Sequence, residues 1–418
     1  HKAIGSSILI VLLLLMYVNP IRGAFNAAGS DLPIINDAWH NSLSAIKQGS
    51  SKDAIITSWW DFGHHFKALA ERRVTFDGTT QTSEAAHWVG KLLMTPSEEQ
   101  AVGILRMLDC GGNHGFNEID KIKKNTHNSL KILNEIIVLD RIQAERKLKG
   151  YRFDAPAMDK ILQRTHCSPP EAYFIASEDM IGKSGVWSHF GSWNFERADI
   201  WQNARKMPQE QAVEYMMGRF NYTKERAENM YFEMQAIASD KAANDWVAPW
   251  PGYGGTVNCG KNKDIYICSN GFQINLSSYD VFATGQQGIV RPKIAAFTTE
   301  DGLWRKEFNG TTIDFGITII PKNENELQGV LSSKELAGSM FTKMFYMQGH
   351  GLRYFKLFNH QRGLTGTDIY VYKVDWEGKN ATVVQDYVNY LKGPLMEKGL
   401  KEDVLTELVN TSTNANIS

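Results

Sequence analysis

The 418-residue sequence is poor in cysteine, has no surplus of basic charge and contains a single long apolar run. Four cysteines without a CxxC pair disfavour a zinc site built from cysteine. Lys and Arg number 45 and Asp and Glu 46, a net charge of −1, which argues against general nucleic-acid binding through a basic surface. A mean hydropathy of −0.33 excludes a chain that crosses a membrane many times. With 43% apolar residues the chain can bury a core, and its length allows about two to four domains.

The apolar run covers residues 4–18 (IGSSILIVLLLLMYV) and contains no charged residue. A helix of that length spans about 22 Å, whereas the hydrocarbon core of a bilayer is about 30 Å thick. Three interpretations stay open: a short transmembrane helix, the core of a signal peptide, or the end of the last membrane helix of a longer chain. The first residue is His1 and not Met, which favours the third, so we assign 1–20 to the end of a transmembrane helix. Each interpretation places the remaining residues on the extracytoplasmic side.

After the apolar run, the sequence pattern changes once from helix-rich to β-rich. Residues 33–248 show helical periodicity and buried-strand patterns typical of a helix-rich α/β domain. The segment 246–255 (WVAPWPGYGG) is rich in Pro and Gly and predicts a linker at a domain boundary. Residues 251–392 contain short β-branched and aromatic segments, typical of a β-rich domain. The polar residues 398–418 predict a disordered tail.

The cysteines fit an oxidising compartment. Cys259 and Cys268 flank a predicted β-hairpin, CGKNKDIYIC, at a spacing that a disulfide can close. Cys110 and Cys167 are open to two interpretations, a second bridge or two buried thiols.

Two segments of the first domain have the same arrangement, a predicted buried strand followed directly by a short motif. DAIITS (53–58) is a predicted buried strand followed directly by WWDFG (59–63), and AYFIAS (172–177) is another, followed by EDMIGK (178–183). Loops at the carboxyl ends of strands are where open α/β sheets bind ligands. If the two strands are neighbours, both loops line one crevice.

The triplet Trp59-Trp60-Asp61 suits a small hydroxyl group. Each indole donates one N–H bond and the carboxylate only accepts, so together they match a group that both donates and accepts. The alternative is that both tryptophans belong to the core and that Asp61 caps the next helix. Adjacent side chains in a strand point to opposite faces, so two adjacent tryptophans favour a loop site.

SWWDFG resembles the WWDXG signature of the oligosaccharyltransferase catalytic subunit, with Phe62 where that family usually has Tyr. The family's second signature is a short helix with Asp and Lys, or Met and Ile, and DMIGK (179–183) is similar to its archaeal form. Asp179 and Lys183 are the first candidates from this motif, and Met180 and Ile181 are the next. A β-rich addition at the carboxyl end also fits the archaeal members.

The resemblance implies a role for each motif. Residues matching Trp59, Trp60 and Asp61 bind the Ser or Thr hydroxyl of an Asn-X-Ser/Thr acceptor protein or peptide, and the second motif contacts the same acceptor side chain. Glycan transfer from a lipid-linked oligosaccharide needs a divalent metal, Mn²⁺ or Mg²⁺, held by acidic residues in loops between membrane helices. Those loops lie outside this chain, which has no DxD motif, so we expect here no catalytic residue, no metal ligand and no transfer by this chain alone.

The resemblance also implies a location. The full-length protein would be a multi-pass enzyme of the cell membrane, with this part extracytoplasmic. A hypothesis of another class remains: a secreted or membrane-anchored module that binds carbohydrate or peptide without transferase activity.

Overall fold

The structure is a computed structural model that describes residues 2–30, 34–285, 288–310, 312–364 and 366–396. Residues 398–418, where the sequence predicts a disordered tail, lie outside the described residues. The α-helices are α1 Lys2–Ser30, α2 Asp37–Gly49, α3 Gly63–His65, α4 Glu84–Met94, α5 Glu98–Gly111, α6 His114–Lys123, α7 Thr126–Ile137, α8 Arg141–Gly150, α9 Ala155–Thr165, α10 Asp179–Gly182, α11 Ser184–Gly191, α12 Phe195–Asn203, α13 Gln209–Phe220, α14 Lys224–Gln235, α15 Asp240–Val247 and α16 Gln385–Met396. A 3₁₀ turn covers Trp60–Phe62, and π-helical turns cover Phe66–Ala70 and Thr342–Tyr346.

The strands form two sheets. They are β1 Ile55–Thr57, β2 Arg73–Val74, β3 Ala172–Ser177, β4 Tyr253–Asn262, β5 Ile265–Cys268, β6 Gln273–Asn275, β7 Asp280–Gly285, β8 Gly288–Thr299, β9 Gly302–Glu307, β10 Thr312–Asn323, β11 Glu326–Ser332, β12 Phe355–Arg362 and β13 Asp368–Val374. One sheet has the order β12-β13-β3-β1-β2, and the other runs β10-β11-β4-β5-β6-β7-β8-β9. In the second sheet β10 also pairs in parallel with β8, so the sheet curves back on itself and protects its edges.

The five-stranded sheet is covered by helices on both faces, which explains why its central strand is apolar along its whole length. Tyr173 and Ile175 of β3 pack in one cluster with Trp39 of α2. Phe174 and Ala176 point the other way, into the large core built mainly by α4–α9. All six residues of β3 are buried. The predicted α/β architecture of the first domain thus has a mixed sheet between helical layers.

Two strands that we predicted to belong to the second domain pair with the sheet of the first domain. We placed residues 251–392 in a β-rich unit, but β12 and β13 return to the first sheet, where β13 pairs antiparallel with β3. Residues Ile369, Tyr370, Val371 and Tyr372 of β13 are all buried. A strand that is apolar on both faces is stable only where both faces are covered, and the helix-coated sheet provides that environment. Propensity alone does not show which sheet a strand joins.

Two disulfides are present. Cys259–Cys268 joins directly opposed residues of β4 and β5, as the hairpin pattern predicts. Cys110–Cys167 resolves the open alternative for the other pair: it ties the end of α5 to the loop that leads into β3, across 57 residues. A bridge that closes a loop of this length restricts the unfolded chain and stabilises the helical layer that supports the sheet.

The first helix is longer than the apolar run. It continues through Pro20 to Ser30 and has 29 residues. Within it, Val11–Gly29 is long and apolar enough to cross a membrane, and none of that window is buried. The exposed side chains include Leu14 and Met16. Its exposed apolar surface therefore fits an environment other than water.

Candidate functional site

Strands β1 and β3 are parallel neighbours, with Ile55 opposite Ala172 and Thr57 opposite Phe174. Their carboxyl ends therefore lie at the same edge of the sheet, as the sequence argument required. The 3₁₀ turn Trp60–Phe62 follows β1 and α10 follows β3, so the two motifs are adjacent in space. The predicted strand-to-helix design is confirmed for both segments.

Lys183 joins the two motifs. Its Nζ lies 2.9 Å from Oδ1 of Asp61 and 2.8 Å from Oδ2 of Asp179. The three side chains are between 24 and 32% exposed, so water screens these ion pairs less than it screens those of the open surface. One ammonium group thus stands between two carboxylates where the two motifs meet.

The local backbone explains this arrangement. Asp179 and Lys183 are four residues apart at the two ends of α10, and this spacing brings side chains together on one side of a helix. Ser177, the last residue of β3, donates a hydrogen bond of 2.6 Å to Oδ1 of Asp179. Ser177 was not among the predicted site residues, although its position as the last strand residue before an acidic motif is a signal that points to it.

The two tryptophans have different surroundings. Trp59 is 3% exposed and packs against Phe76 and Phe190, with ring centroids 5.7 and 5.9 Å away. Trp60 is half-buried, and its ring centroid is 6.4 Å from that of Trp59. Among the residues that the structure describes, neither indole N–H donates a hydrogen bond, and neither nitrogen is among the buried polar atoms without a partner. Both donors thus keep access to a ligand.

Asp61 does not cap a helix. The turn Trp60–Phe62 has Trp59 at its N-cap position and no capping bond from a side chain. Oδ1 of Asp61 is held by Lys183, whereas Oδ2 is buried and has no hydrogen-bond partner in the described part of the chain. A buried acceptor without a donor costs free energy, about 1–3 kcal/mol for an ordinary polar group. A ligand hydroxyl that reached Oδ2 would remove that cost.

The remaining residues of the second motif divide into two groups. Met180 is 1% exposed and faces the core, where its Sδ accepts a hydrogen bond of 3.7 Å from Ser58. Our expectation that Met180 could contact a ligand therefore does not fit its position, because the short helix α10 turns it inwards. Ile181 is half-buried and packs at the border of the same core. Phe62 makes a cation–π contact with Lys183, whose ammonium lies 5.0 Å from the centre of the Phe62 ring.

The charge of Lys183 is secured by its partners. Burial alone lowers the pKa of this amine, but the hydrogen bonds and charges of Asp179 and Asp61 outweigh burial and raise the pKa above its usual value. The ammonium therefore stays charged through neutral pH and holds Asp61 in place.

Beneath the site, His87 supplies a pH-dependent contribution to stability. Its Nδ1 donates a hydrogen bond of 2.9 Å to the carbonyl oxygen of Phe190, which packs on Trp59. Burial and the nearby charge of Lys91 lower the pKa of His87 to about 4, and burial also lowers the pKa of His166 to about 4. Both histidines are neutral in the folded protein at pH 5 but protonated in the unfolded chain.

We expect acid to destabilise the fold through these two groups. A depressed pKa gives stability that is complete above about 6.5 and is lost as the pH falls towards 4. Lowering the pH from 7 to 5 then costs about 2 kcal/mol for each histidine, which urea unfolding at both pH values will measure. Burial raises the pKa of Asp109 and of Glu98, which gives these two groups the opposite pH dependence. The decisive comparison is therefore between the parent chain and His87→Gln, which should lose about 2 kcal/mol less than the parent between pH 7 and pH 5. An equal loss in the two chains would contradict the assignment.

The described residues do not offer a metal centre. In residues 2–30, 34–285, 288–310, 312–364 and 366–396, no three side chains among His, Cys, Asp and Glu come together as ligands.

Comparison with known proteins supports the family resemblance. A dolichyl-phosphooligosaccharide-protein glycotransferase of Methanocaldococcus jannaschii is 38% identical over 169 residues, which cover 39% of this chain and 18% of that protein. The protein of the same name from Methanococcus voltae is 33% identical over 201 residues, covering 46% of this chain and 22% of that protein. The resemblance to archaeal oligosaccharyltransferase catalytic subunits is confirmed. This chain spans about a fifth of the length of these relatives.

The chain was also compared with solved structures and with protein-family models. The carboxyl-terminal domain of C. jejuni PglB, a solved crystal structure, aligns over 80% of this chain and 99% of that domain, with 12% identity and a TM-score of 0.34. No family model matches the chain.

Proposed function

We propose that this chain is the carboxyl-terminal, extracytoplasmic part of an oligosaccharyltransferase and that its crevice recognises the Ser or Thr hydroxyl of Asn-X-Ser/Thr acceptors. The relatives of this chain are named as protein glycotransferases, which supports the reaction class. One observation carries the assignment of the crevice: the Asp61 carboxylate has one oxygen bound to Lys183 and the other without a donor among the described residues.

The hydroxyl group fits the arrangement by its hydrogen-bonding capacity. Its proton goes to a carboxylate oxygen of Asp61, and its oxygen accepts from the free indole N–H of Trp60 or Trp59. Hydrogen bonds to charged groups contribute about 1.5–3 kcal/mol, about 10- to 100-fold in affinity. An alanine at the same acceptor position forms neither bond and leaves the buried oxygen unpaired, which is an effective basis for discrimination. Oδ2 is covered by protein atoms, so a small side-chain movement accompanies binding.

The other partners belong to the whole enzyme. In this proposal the full-length protein is a multi-pass protein of the cell membrane, and it binds the lipid-linked oligosaccharide and Mn²⁺ or Mg²⁺ through segments outside this chain. The helix α1 would be the end of its last membrane span. The described residues then contribute acceptor recognition and not transfer.

A peptide experiment tests the proposal. The full chain is labelled with 5-fluorotryptophan and titrated with an Asn-Ala-Thr peptide and with its Asn-Ala-Ala analogue. We expect the Thr peptide alone to shift the fluorine resonances of Trp59 and Trp60, assigned through Phe variants. Equal shifts from both peptides would contradict hydroxyl recognition. In a parallel reaction with lipid-linked oligosaccharide and Mn²⁺ we expect no glycopeptide. Formation of glycopeptide would contradict the proposal that this chain recognises the acceptor without transferring the glycan.

A further inference from the structure

The segment 248–251 (Ala-Pro-Trp-Pro), which the sequence presents as part of a linker, is held rigidly on α11. Three side chains of this region bond to its carbonyl oxygens. His189 Nδ1 donates to Ala248 at 2.6 Å, Ser192 Oγ donates to Pro249 at 2.9 Å, and Ser188 Oγ donates to Pro251. Proline on each side of Trp250 further restricts the backbone. A flexible linker requires none of these bonds.

The Trp250 side chain is fixed as well. Its ring lies parallel to that of His189, with centroids 3.8 Å apart and planes 11° from parallel. Its indole N–H donates a hydrogen bond of 2.9 Å to Oδ1 of Asp245. Despite these anchors it is 49% exposed, the highest value among the tryptophans that the structure describes. Burial in a core does not account for an indole that is immobilised on one face and open on the other.

The edge of this indole is polar. Oδ2 of Asp245 lies 3.7 Å from the ammonium of Lys241, and the two side chains are 43% and 89% exposed, so both reach solvent beside the ring. An acceptor and a donor at the border of a flat apolar face match a pyranose ring, which has one face of C–H groups and hydroxyls around its rim. An aromatic or prolyl side chain of a peptide has the flat face but no polar rim, so the Asp245–Lys241 pair favours sugar.

We propose that Trp250, Asp245 and Lys241 form a saccharide-binding platform in which a hexopyranose ring stacks on the open face of Trp250. The platform is adjacent to the acceptor crevice, since a Cβ atom added to Gly185, two residues after Lys183, would lie 3.9 Å from the Trp250 ring. The sugar belongs either to the lipid-linked donor or to a glycan already attached to the acceptor, and both present the same ring chemistry. The proposal does not depend on hydroxyl recognition by Asp61.

The test uses the full chain in a zwitterionic detergent, because alkyl glycoside detergents would occupy the platform. Methyl β-galactopyranoside and methyl β-glucopyranoside are titrated while the fluorine resonance of 5-fluorotryptophan at 250 and saturation transfer to the sugar protons are recorded. We expect transfer concentrated on one face of the ring. Trp250→Ala should weaken binding about tenfold or more, equivalent to about 1.4 kcal/mol. Trp193→Ala is the matched control, since Trp193 is 38% exposed but has no ring stacked on it in the described part of the chain, and it should bind like the parent chain.

Asp245→Asn keeps the packing and provides a second variant in case Trp250→Ala fails to fold; it should weaken sugar binding severalfold. Asp61→Ala should leave sugar binding intact, and Trp250→Ala should leave the response to the Thr peptide intact, which separates this proposal from the acceptor site. A glycopeptide and a released donor oligosaccharide, compared at equal concentration, identify the source. Three results would overturn the proposal: no sugar-dependent shift at the solubility limit, equal binding by Trp250→Ala, or a response to Tyr- or Pro-containing peptides without one to sugars.

Discussion

Replacing Asp61 by alanine should abolish the preference of the chain for an Asn-Ala-Thr peptide over Asn-Ala-Ala. The substitution removes the carboxylate whose buried oxygen, Oδ2, has no donor among the described residues. The loss is the free energy of one charge-assisted hydrogen bond, about 1.5–3 kcal/mol, so the Thr peptide should bind about 10- to 100-fold more weakly while the Ala peptide is unaffected. Isothermal titration calorimetry with each peptide measures both affinities, and the Trp60 fluorine resonance reports the response to the Thr peptide.

The fold should tolerate this change. Lys183 keeps its second partner, because Asp179 lies 2.8 Å from the ammonium, so no charge is left unpaired when Asp61 is removed. Asp61→Asn retains the shape and a neutral acceptor, and it should therefore keep part of the preference. Asp314→Ala is a matched control, since Asp314 also pairs with a lysine, Lys334, at 2.7 Å, but on the second sheet. An Asp61→Ala chain that still prefers Thr would place hydroxyl recognition elsewhere.

The second large effect concerns stability and originates behind the crevice. Gly90 of α4 and Gly191 of α11 touch backbone to backbone. A Cβ on Gly90 would lie 2.3 Å from the carbonyl oxygen of Trp187 and 2.7 Å from the Gly191 nitrogen. A Cβ on Gly191 would meet the Gly90 backbone at 2.4 Å. Because the obstacles are backbone atoms and not flexible side chains, the helices must separate to accept either substitution.

Gly90→Ala should therefore destabilise the chain by about 3 kcal/mol or more, measured as a lower midpoint in urea. Since α11 begins directly after Lys183 and anchors residues 248–251, the variant should also weaken the Thr peptide and the sugar responses. Gly218→Ala is the control: Gly218 lies inside α13 with no heavy atom within 4 Å of its Cβ position, so the helix should gain about 0.5–1 kcal/mol. Equal stability of Gly90→Ala and the parent chain would show that α4 and α11 do not approach as closely as described.

Local patterns in the sequence were enough to predict several parts of this molecule. The apolar runs DAIITS and AYFIAS predicted buried strands because only a strand covered on both faces is apolar throughout. The polar and aromatic residues after each run predicted a site at the strand ends, and β1 and β3 are indeed parallel neighbours. The Cys259–Cys268 hairpin was also predicted correctly, because its residues are close in the chain and spacing and turn chemistry decide their pairing.

Contacts between distant residues were beyond that kind of argument. The sequence by itself determined the strand types, the two motifs and the family resemblance. Only the tertiary structure decided that β13 joins β3, that Lys183 bridges Asp61 and Asp179, that Met180 faces the core and that Trp250 stacks on His189. The physical reason is that propensity and periodicity record the environment a segment needs, whereas the partner that supplies it is selected by the packing of the whole chain.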